Sequence, residues 1–216
     1  MKDHFTQDHA YVGLLKSKGS LSQASELESF YAKLRDSTVV WASQSEAKGF
    51  GDAVLRSQPI IGNERFLVSA GDVYVKSQGG SHIRRLIESS ARTEAEAVFL
   101  VQEVEDPLRH GVVELEDAHD GIHKVKRAVE KPKSSSSKVA IIPVYLFKPI
   151  VFKALGETGP GVQGEIQLTD AIQVLVDWKL RVYAVKLEAE DVKLDVGTPE
   201  AYQHALKTSY DNWDKA

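Results

Sequence analysis

Cysteine is absent from the 216 residues. That excludes disulfides, thiolate metal sites and a cysteine nucleophile, and it fits a reducing compartment. Long apolar runs are also absent. None approaches the roughly 20 residues that span a bilayer, and Met1-Lys2-Asp3-His4 opens without a hydrophobic signal region. A cytoplasmic location is therefore expected. Neither sign of charge dominates: 27 Lys and Arg stand against 31 Asp and Glu, a net −4. This gives no electrostatic reason for a nucleic-acid or membrane partner. No Lys-Ser or Lys-Thr follows either glycine-bearing loop, Gly49-Phe50-Gly51 or 156–164, so neither is a Walker-type phosphate loop. No internal repeat is present.

The organising stretch is Phe66-Leu67-Val68-Ser69-Ala70-Gly71-Asp72. A continuous apolar run that ends at Gly reads as a buried, parallel strand. Ligands of open α/β sheets bind beyond the carboxyl ends of the strands, which is where Asp72 falls. Before it, residues 2–18 and the stretch after Ser22 carry helical stripes, the second through Leu27, Phe30, Tyr31 and Leu34. Thr38-Val39-Val40-Trp41 reads as a short strand. After it comes a helix over 79–91 with Ile83, Leu86 and Ile87 inward, then a strand at 97–101, so βαβ units are expected. Gly111–Glu116 and Ile122–Val129 alternate about Asp120-Gly121, a hairpin signature. His119 and His123 at its tip read as solvated rather than as metal ligands. Strands at 139–142, 181–185 and 193–196 and helices at 149–155, 168–176 and after Thr198-Pro199 complete one domain over 1–216. Tyr202 and Leu206 are expected to pack the last helix down.

Two carboxylates stand out by context. Asp72 and Asp195 each end a strand beside a glycine. Converging, they would supply the one or two carboxylates that Mg²⁺ takes alongside substrate phosphates; taken singly, each also suits a turn cap. Glu130-Lys131 sets an acceptor suited to sugar hydroxyls beside a cation suited to a phosphate; a solvated strand end fits the pair equally well.

Six segments then occur in one order: Lys48-Gly49-Phe50-Gly51-Asp52-Ala53-Val54, Phe66 to Val73, Arg109-His110-Gly111-Val112-Val113-Glu114, Val129-Glu130-Lys131-Pro132, Gly164-Glu165-Ile166-Gln167-Leu168-Thr169-Asp170, and Leu194-Asp195-Val196-Gly197-Thr198-Pro199. Together they resemble the sugar-nucleotide pyrophosphorylases, nearest the UTP–glucose-1-phosphate uridylyltransferases. The Gly-Glu-Ile-Gln-Leu-Thr-Asp run favours that branch over the thymidylyl one. The resemblance implies an α/β fold: a Rossmann-like, mainly parallel mixed sheet flanked by helices, with an inserted β-hairpin. It implies that Gln44 and Gly49 read uracil, that Asp72 and Asp195 hold Mg²⁺, that Gly111 and Glu130 meet glucose hydroxyls, and that Lys131 meets the sugar phosphate. Asp72, Lys131 and Asp195 would then be catalytic, with UTP, glucose 1-phosphate and UDP-glucose as ligands. Two positions depart from the family: Asp52 stands where relatives usually carry His, and His110 where they often carry Tyr.

The family also opens with a strand and a Gly-x-Gly-Thr-Arg loop that cradles the triphosphate. No such run occurs in 1–216. The expectation is an N-terminally truncated chain, a fragment or one half of a split enzyme, with a homo-oligomer or another partner supplying the loop. A non-catalytic sugar-nucleotide-binding subunit, or a transferase for another base, are the alternatives.

Overall fold

A computed structural model describes residues 2–116 and 121–211. His119 and Asp120 of the hairpin tip lie outside the described residues. The chain divides into two compact units, Met1–Ser43 and Gln44–Ala216. The expectation of one domain treats as continuous what the contacts divide.

The first unit is a helical pair, α1 (His9–Ser17) and α2 (Leu21–Arg35). Asp8 caps α1, its side chain accepting from the Tyr11 amide at 2.9 Å. Val12, Ala24 and Tyr31 form the small shared core. Ser20, not Ser22, stands at the N-cap of α2, without a side-chain cap bond. Residues 38–41 are not a strand. They carry no ladder among the described residues, and Val39, Val40 and Trp41 are exposed. β-propensity alone does not make a strand where no neighbouring strand forms a ladder with it.

The second unit begins with α3 (Phe50–Leu55) and α4 (Gln58–Ile61). It is then built on β1 (Phe66–Ser69), β2 (Val73–Lys76), α5 (Ser81–Thr93), β3 (Ala97–Glu103), β4 (Gly111–Glu116), β5 (Ile122–Glu130) and β6 (Val139–Phe147), followed by α6 (Ile150–Glu157), α7 (Leu168–Asp177), β7 (Val182–Lys186), β8 (Val192–Asp195) and α8 (Pro199–Asp211). Six strands make one sheet in the order β1-β6-β3-β7-β5-β4, and β2 pairs with β8 in a separate two-stranded sheet. The mixed α/β architecture with flanking helices is as expected, but the pairing is not mainly parallel. Among the described residues only β3–β7 is a parallel ladder, and the other ladders of this sheet are antiparallel. Two strands cause this. β6 lies antiparallel between β1 and β3, separating two strands that run the same way, and β5 lies antiparallel between β7 and β4.

The Phe66 run is correspondingly an edge strand rather than a fully buried one: Phe66 is 8% exposed and Leu67 41%. The buried strand is β3, whose Ala97 to Val101 are all 0% exposed. Its side chains divide by the two-residue period. Ala97, Phe99 and Val101 join one cluster with α6 and α7, while Val98 and Leu100 join the other with Leu86 of α5. Helices therefore cover both faces, and each fully buried Val, Leu or Phe among these contributes roughly 1.5–3 kcal/mol. Ile87 departs from expectation at 51% exposed, because the buried stripe of α5 runs through Leu86, Ser89 and Ser90. On α8, Ala205 is the buried residue, and Tyr202 and Leu206 face out. The hairpin is no appendage: β5 pairs with β7, and Val112 and Val113 are both buried.

Candidate active site

A cleft of about 350 Å³ opens where β4, β5, β6 and the first turn of α7 meet β2 and β8, and Asp72, Gly111, Glu130 and Asp195 line it. The remaining sequence candidates, Lys131, Gln44 and Gly49, are not in its wall. A larger hollow of about 520 Å³ lies on the hairpin between Arg127 and the serines of 134–136. It contains none of the candidate residues. The smaller cleft is the stronger site because several polar groups converge in it.

Two backbone ladders bring the aspartates together. Val73 is paired with Asp195 in the β2–β8 register, and the Val196 amide donates to the Asp72 carbonyl at 2.8 Å. The carboxylates then converge on Gly197. A Cβ placed there would stand 3.3 Å from both Asp195 Oδ1 and Asp72 Oδ2. The Gly197 amide donates to Asp195 Oδ1 at 2.9 Å, and Lys193 Nζ approaches Asp195 Oδ2 at 3.9 Å. Among the described residues no group of three or more His, Asp or Glu forms a metal cluster. Two hard oxygen donors beside an open cleft do fit Mg²⁺, which keeps waters and substrate oxygens as its other ligands.

The second corner is closed. Gly111 faces Glu130 across the β4–β5 ladder. Thr169 Oγ1, at the start of α7, donates to Glu130 Oε2 at 2.7 Å. A Cβ on Gly111 would come within 2.6 Å of that hydroxyl and 2.9 Å of that carboxylate oxygen, so only glycine fits. The Glu130 side chain is 11% exposed, with Lys131 Nζ at 3.9 Å from its Oε1. Lys131 itself holds a left-handed φ of +38°, and its amide donates to the His110 carbonyl at 3.0 Å. A bulky side chain at such a φ is strained, and strain of this kind gathers at functional sites. Burial, followed by the Glu130 charge, pushes the Tyr145 phenol well up. Burial, followed by Lys193, holds the His110 imidazole below its usual value.

The third corner is built around α3. Gln44 Nε2 donates to the Gly49 carbonyl at 3.1 Å and to Asp52 Oδ2 at 2.7 Å. Gly49 adopts φ +97°, and a Cβ there would meet Ile166 O at 2.7 Å. The loop is pinned because Ile166 N donates to Lys48 O at 2.8 Å and Gly51 N to Ile166 O at 2.9 Å. Phe50, between these residues in sequence, lines the cleft.

Thr169, Lys193, Arg109 and Gln167 also line the cleft, and the sequence reading missed all four as site residues. Thr169 lay inside a quoted run; its pairing with Glu130 spans 39 positions and left no local signal. Lys193 could have been found from its alternation with Asp195 on one face of a strand.

The chain is similar to known proteins in sequence and in fold. Residues 15–212 match the family described as Nucleotidyl transferase. The UTP–glucose-1-phosphate uridylyltransferase of Streptococcus pneumoniae is 32% identical over 218 residues, covering 98% of this chain and 70% of the relative. That of Pseudomonas aeruginosa is 34% identical over 180 residues, covering 81% of this chain and 63% of the relative. Among solved structures, apo UDP-glucose pyrophosphorylase superposes with a TM-score of 0.84 at 25% identity, covering 98% of this chain and 77% of that one. A UDP-glucose complex gives a TM-score of 0.82 at 26% identity, covering 98% and 76%. The chain thus spans 63% and 70% of the length of the two curated relatives.

Proposed function

This chain belongs to the nucleotidyl transferase family, and from that premise we propose that it serves transfer of UMP from UTP to glucose 1-phosphate, giving UDP-glucose and pyrophosphate. The observation that carries the reading is the convergence of Asp72 and Asp195 on one point beside a cleft that also holds Glu130.

In this reading the phosphate oxygen of glucose 1-phosphate attacks the α-phosphorus of UTP in line. The new P–O bond forms as the bond to the β-phosphate oxygen breaks, and pyrophosphate leaves with that electron pair. No covalent enzyme intermediate is needed, so the protein contributes position and charge. Glu130, fixed by Thr169, accepts from glucose hydroxyls above Gly111. Lys131 meets the sugar phosphate. Gln44 and Gly49 face the base. Asp72 and Asp195 would hold Mg²⁺, which when bound neutralises charge on the phosphate oxygens. Lys193 adds a fixed cation on the same side. The triphosphate-cradling loop that the family resemblance implies is not among residues 1–216.

A pyrophosphate-release assay with UTP, Mg²⁺ and glucose 1-phosphate tests the reading, together with calorimetry of UDP-glucose. Turnover is expected once the loop is supplied, and UDP-glucose binding is expected with or without it. Binding that never leads to turnover would instead favour a non-catalytic sugar-nucleotide subunit. Failure to bind UDP-glucose would overturn both readings.

A further inference from the structure

Gln44 carries two amide hydrogens and one carbonyl oxygen. Its two protein neighbours can only accept. One is the Gly49 carbonyl, 3.1 Å from Nε2, and the other is a carboxylate oxygen of Asp52, 2.7 Å away. The opposite amide orientation would set the Gln44 oxygen against both of these acceptors and lose both hydrogen bonds. The orientation is therefore dictated by chemistry rather than chosen. Asp52 is well placed to impose it. It is 4% exposed, in the first turn of α3, and Arg56 Nη2 holds its other oxygen at 3.3 Å. The hydrogen bond from Gln44 is also the first cause of a lowered Asp52 pKa, so the carboxylate stays an acceptor at neutral pH.

With both hydrogens committed, Gln44 has one group left for a ligand, the acceptor Oε1. We propose that Asp52 is a positioning residue for base choice: by locking the Gln44 amide it makes this corner present an acceptor, which takes the ring N–H of a uracil-type base and rejects the ring nitrogen lone pair of cytosine. This rests on the reading that Gln44 faces the base. The two pyrimidines are the same size, so shape alone separates them poorly. Opposed hydrogen-bonding groups separate them well, because a mismatch leaves polar groups unpaired.

The test is calorimetry of UDP-glucose and CDP-glucose with wild type, Asp52→Leu and Asp52→Asn. Wild type is expected to favour UDP-glucose by at least about tenfold, a 1.4 kcal/mol difference. In Asp52→Leu the shorter of the two hydrogen bonds is gone and only the Gly49 carbonyl still opposes a turn of the amide, so the preference is expected to fall below about threefold. Part of that fall should come from tighter binding of CDP-glucose, a gain that mere damage to the fold does not produce. Asp52→Asn keeps a carbonyl acceptor in place and should retain most of the preference. Should Asp52→Leu not fold, NMR on the wild-type protein decides instead. Both Gln44 side-chain amide protons are expected to exchange slowly with solvent, and fast exchange would overturn the lock. Wild type that discriminates, with Asp52→Leu discriminating equally, would overturn this inference and leave the proposed function standing. Wild type that binds neither nucleotide, or binds both alike, would overturn the base-facing role of Gln44 itself.

Discussion

The two acidic corners of the cleft are built in opposite ways. The Glu130 side chain is only 11% exposed, and one of its oxygens already accepts from Thr169 at 2.7 Å. Asp72 and Asp195 instead turn two carboxylates toward one point at an open rim, where the protein donor at that point is the Gly197 amide, 2.9 Å from Asp195 Oδ1, rather than a buried side chain. A carboxylate whose position is fixed by protein donors can select a ligand's shape. Two carboxylates brought toward one point are suited to holding a divalent cation there. The closed corner should therefore govern binding of the sugar, and the open corner should govern the chemistry and its dependence on Mg²⁺.

The largest expected effect breaks the open corner. Asp72→Asn, and separately Asp195→Asn, should lower the rate of UDP-glucose formation by about 10²–10³-fold, the range for removing one preorganised electrostatic partner. Neither should unfold the protein, since neither side chain packs into a core. The stability change without metal is expected to stay within about 0.5 kcal/mol. Mg²⁺ should raise the thermal midpoint of wild type, by about 2.7 kcal/mol of stability at a hundredfold excess over its Kd. In the variants that rise should largely vanish. A full rate in either variant would end the comparison between the corners.

A smaller effect is expected at the closed corner. Thr169→Val keeps the volume but leaves Glu130 Oε2 without its donor. A hydrogen bond to a charged group contributes about 1.5–3 kcal/mol. The change should appear mainly as a raised KM for glucose 1-phosphate and weaker UDP-glucose binding, with kcat less affected. Thr169→Ser should restore both. An equal loss of kcat and kcat/KM in Thr169→Val, with KM unchanged, would mean that Glu130 acts in the transition state rather than in binding.

The sequence made the open corner legible and the closed one only partly so. Asp72 and Asp195 each carried a local signal, a strand end beside Gly71 or Gly197. Glu130 and Lys131 were visible as neighbours, but the hydroxyl that fixes Glu130 comes from α7, 39 residues further along, and nothing local announces it. The same limit explains the errors in the fold. The run from Phe66 was read as a buried parallel strand because apolar content reports burial and not neighbours. The insertion of β6 between β1 and β3, which sets the antiparallel pairing, is a property of the whole sheet. Val39–Trp41 has the composition of a strand and no ladder among the described residues. Where the side-chain period itself carried the information, as in α7 with Leu168, Ala171, Ile172 and Leu175 buried, the reading held.

The smallest effect connects the corners through His110. Its ring lines the cleft next to Gly111. Burial holds its pKa down, Lys193 and Arg109 push the same way, and Asp106 and Asp195 pull it back up. The folded pKa thus lies below the unfolded value of about 6.5. Between those two values the unfolded chain binds the extra proton. The stability contributed by the neutral ring is therefore complete above about pH 6.5 and is lost as pH falls through that value toward the depressed folded one. Urea midpoints at two pH values on either side should show a shallower decline in His110→Gln than in wild type, since the other acids titrate in both. The sharper form uses Asp195→Asn. Removing that negative charge takes away a group that raises the His110 pKa, so an NMR titration of the ring should move further down. Mg²⁺ bound between Asp72 and Asp195 should move it the same way in wild type and leave it unmoved in the variant. A His110 titration indifferent to both would mean that the two corners are electrostatically independent, and that the cleft is two sites side by side rather than one.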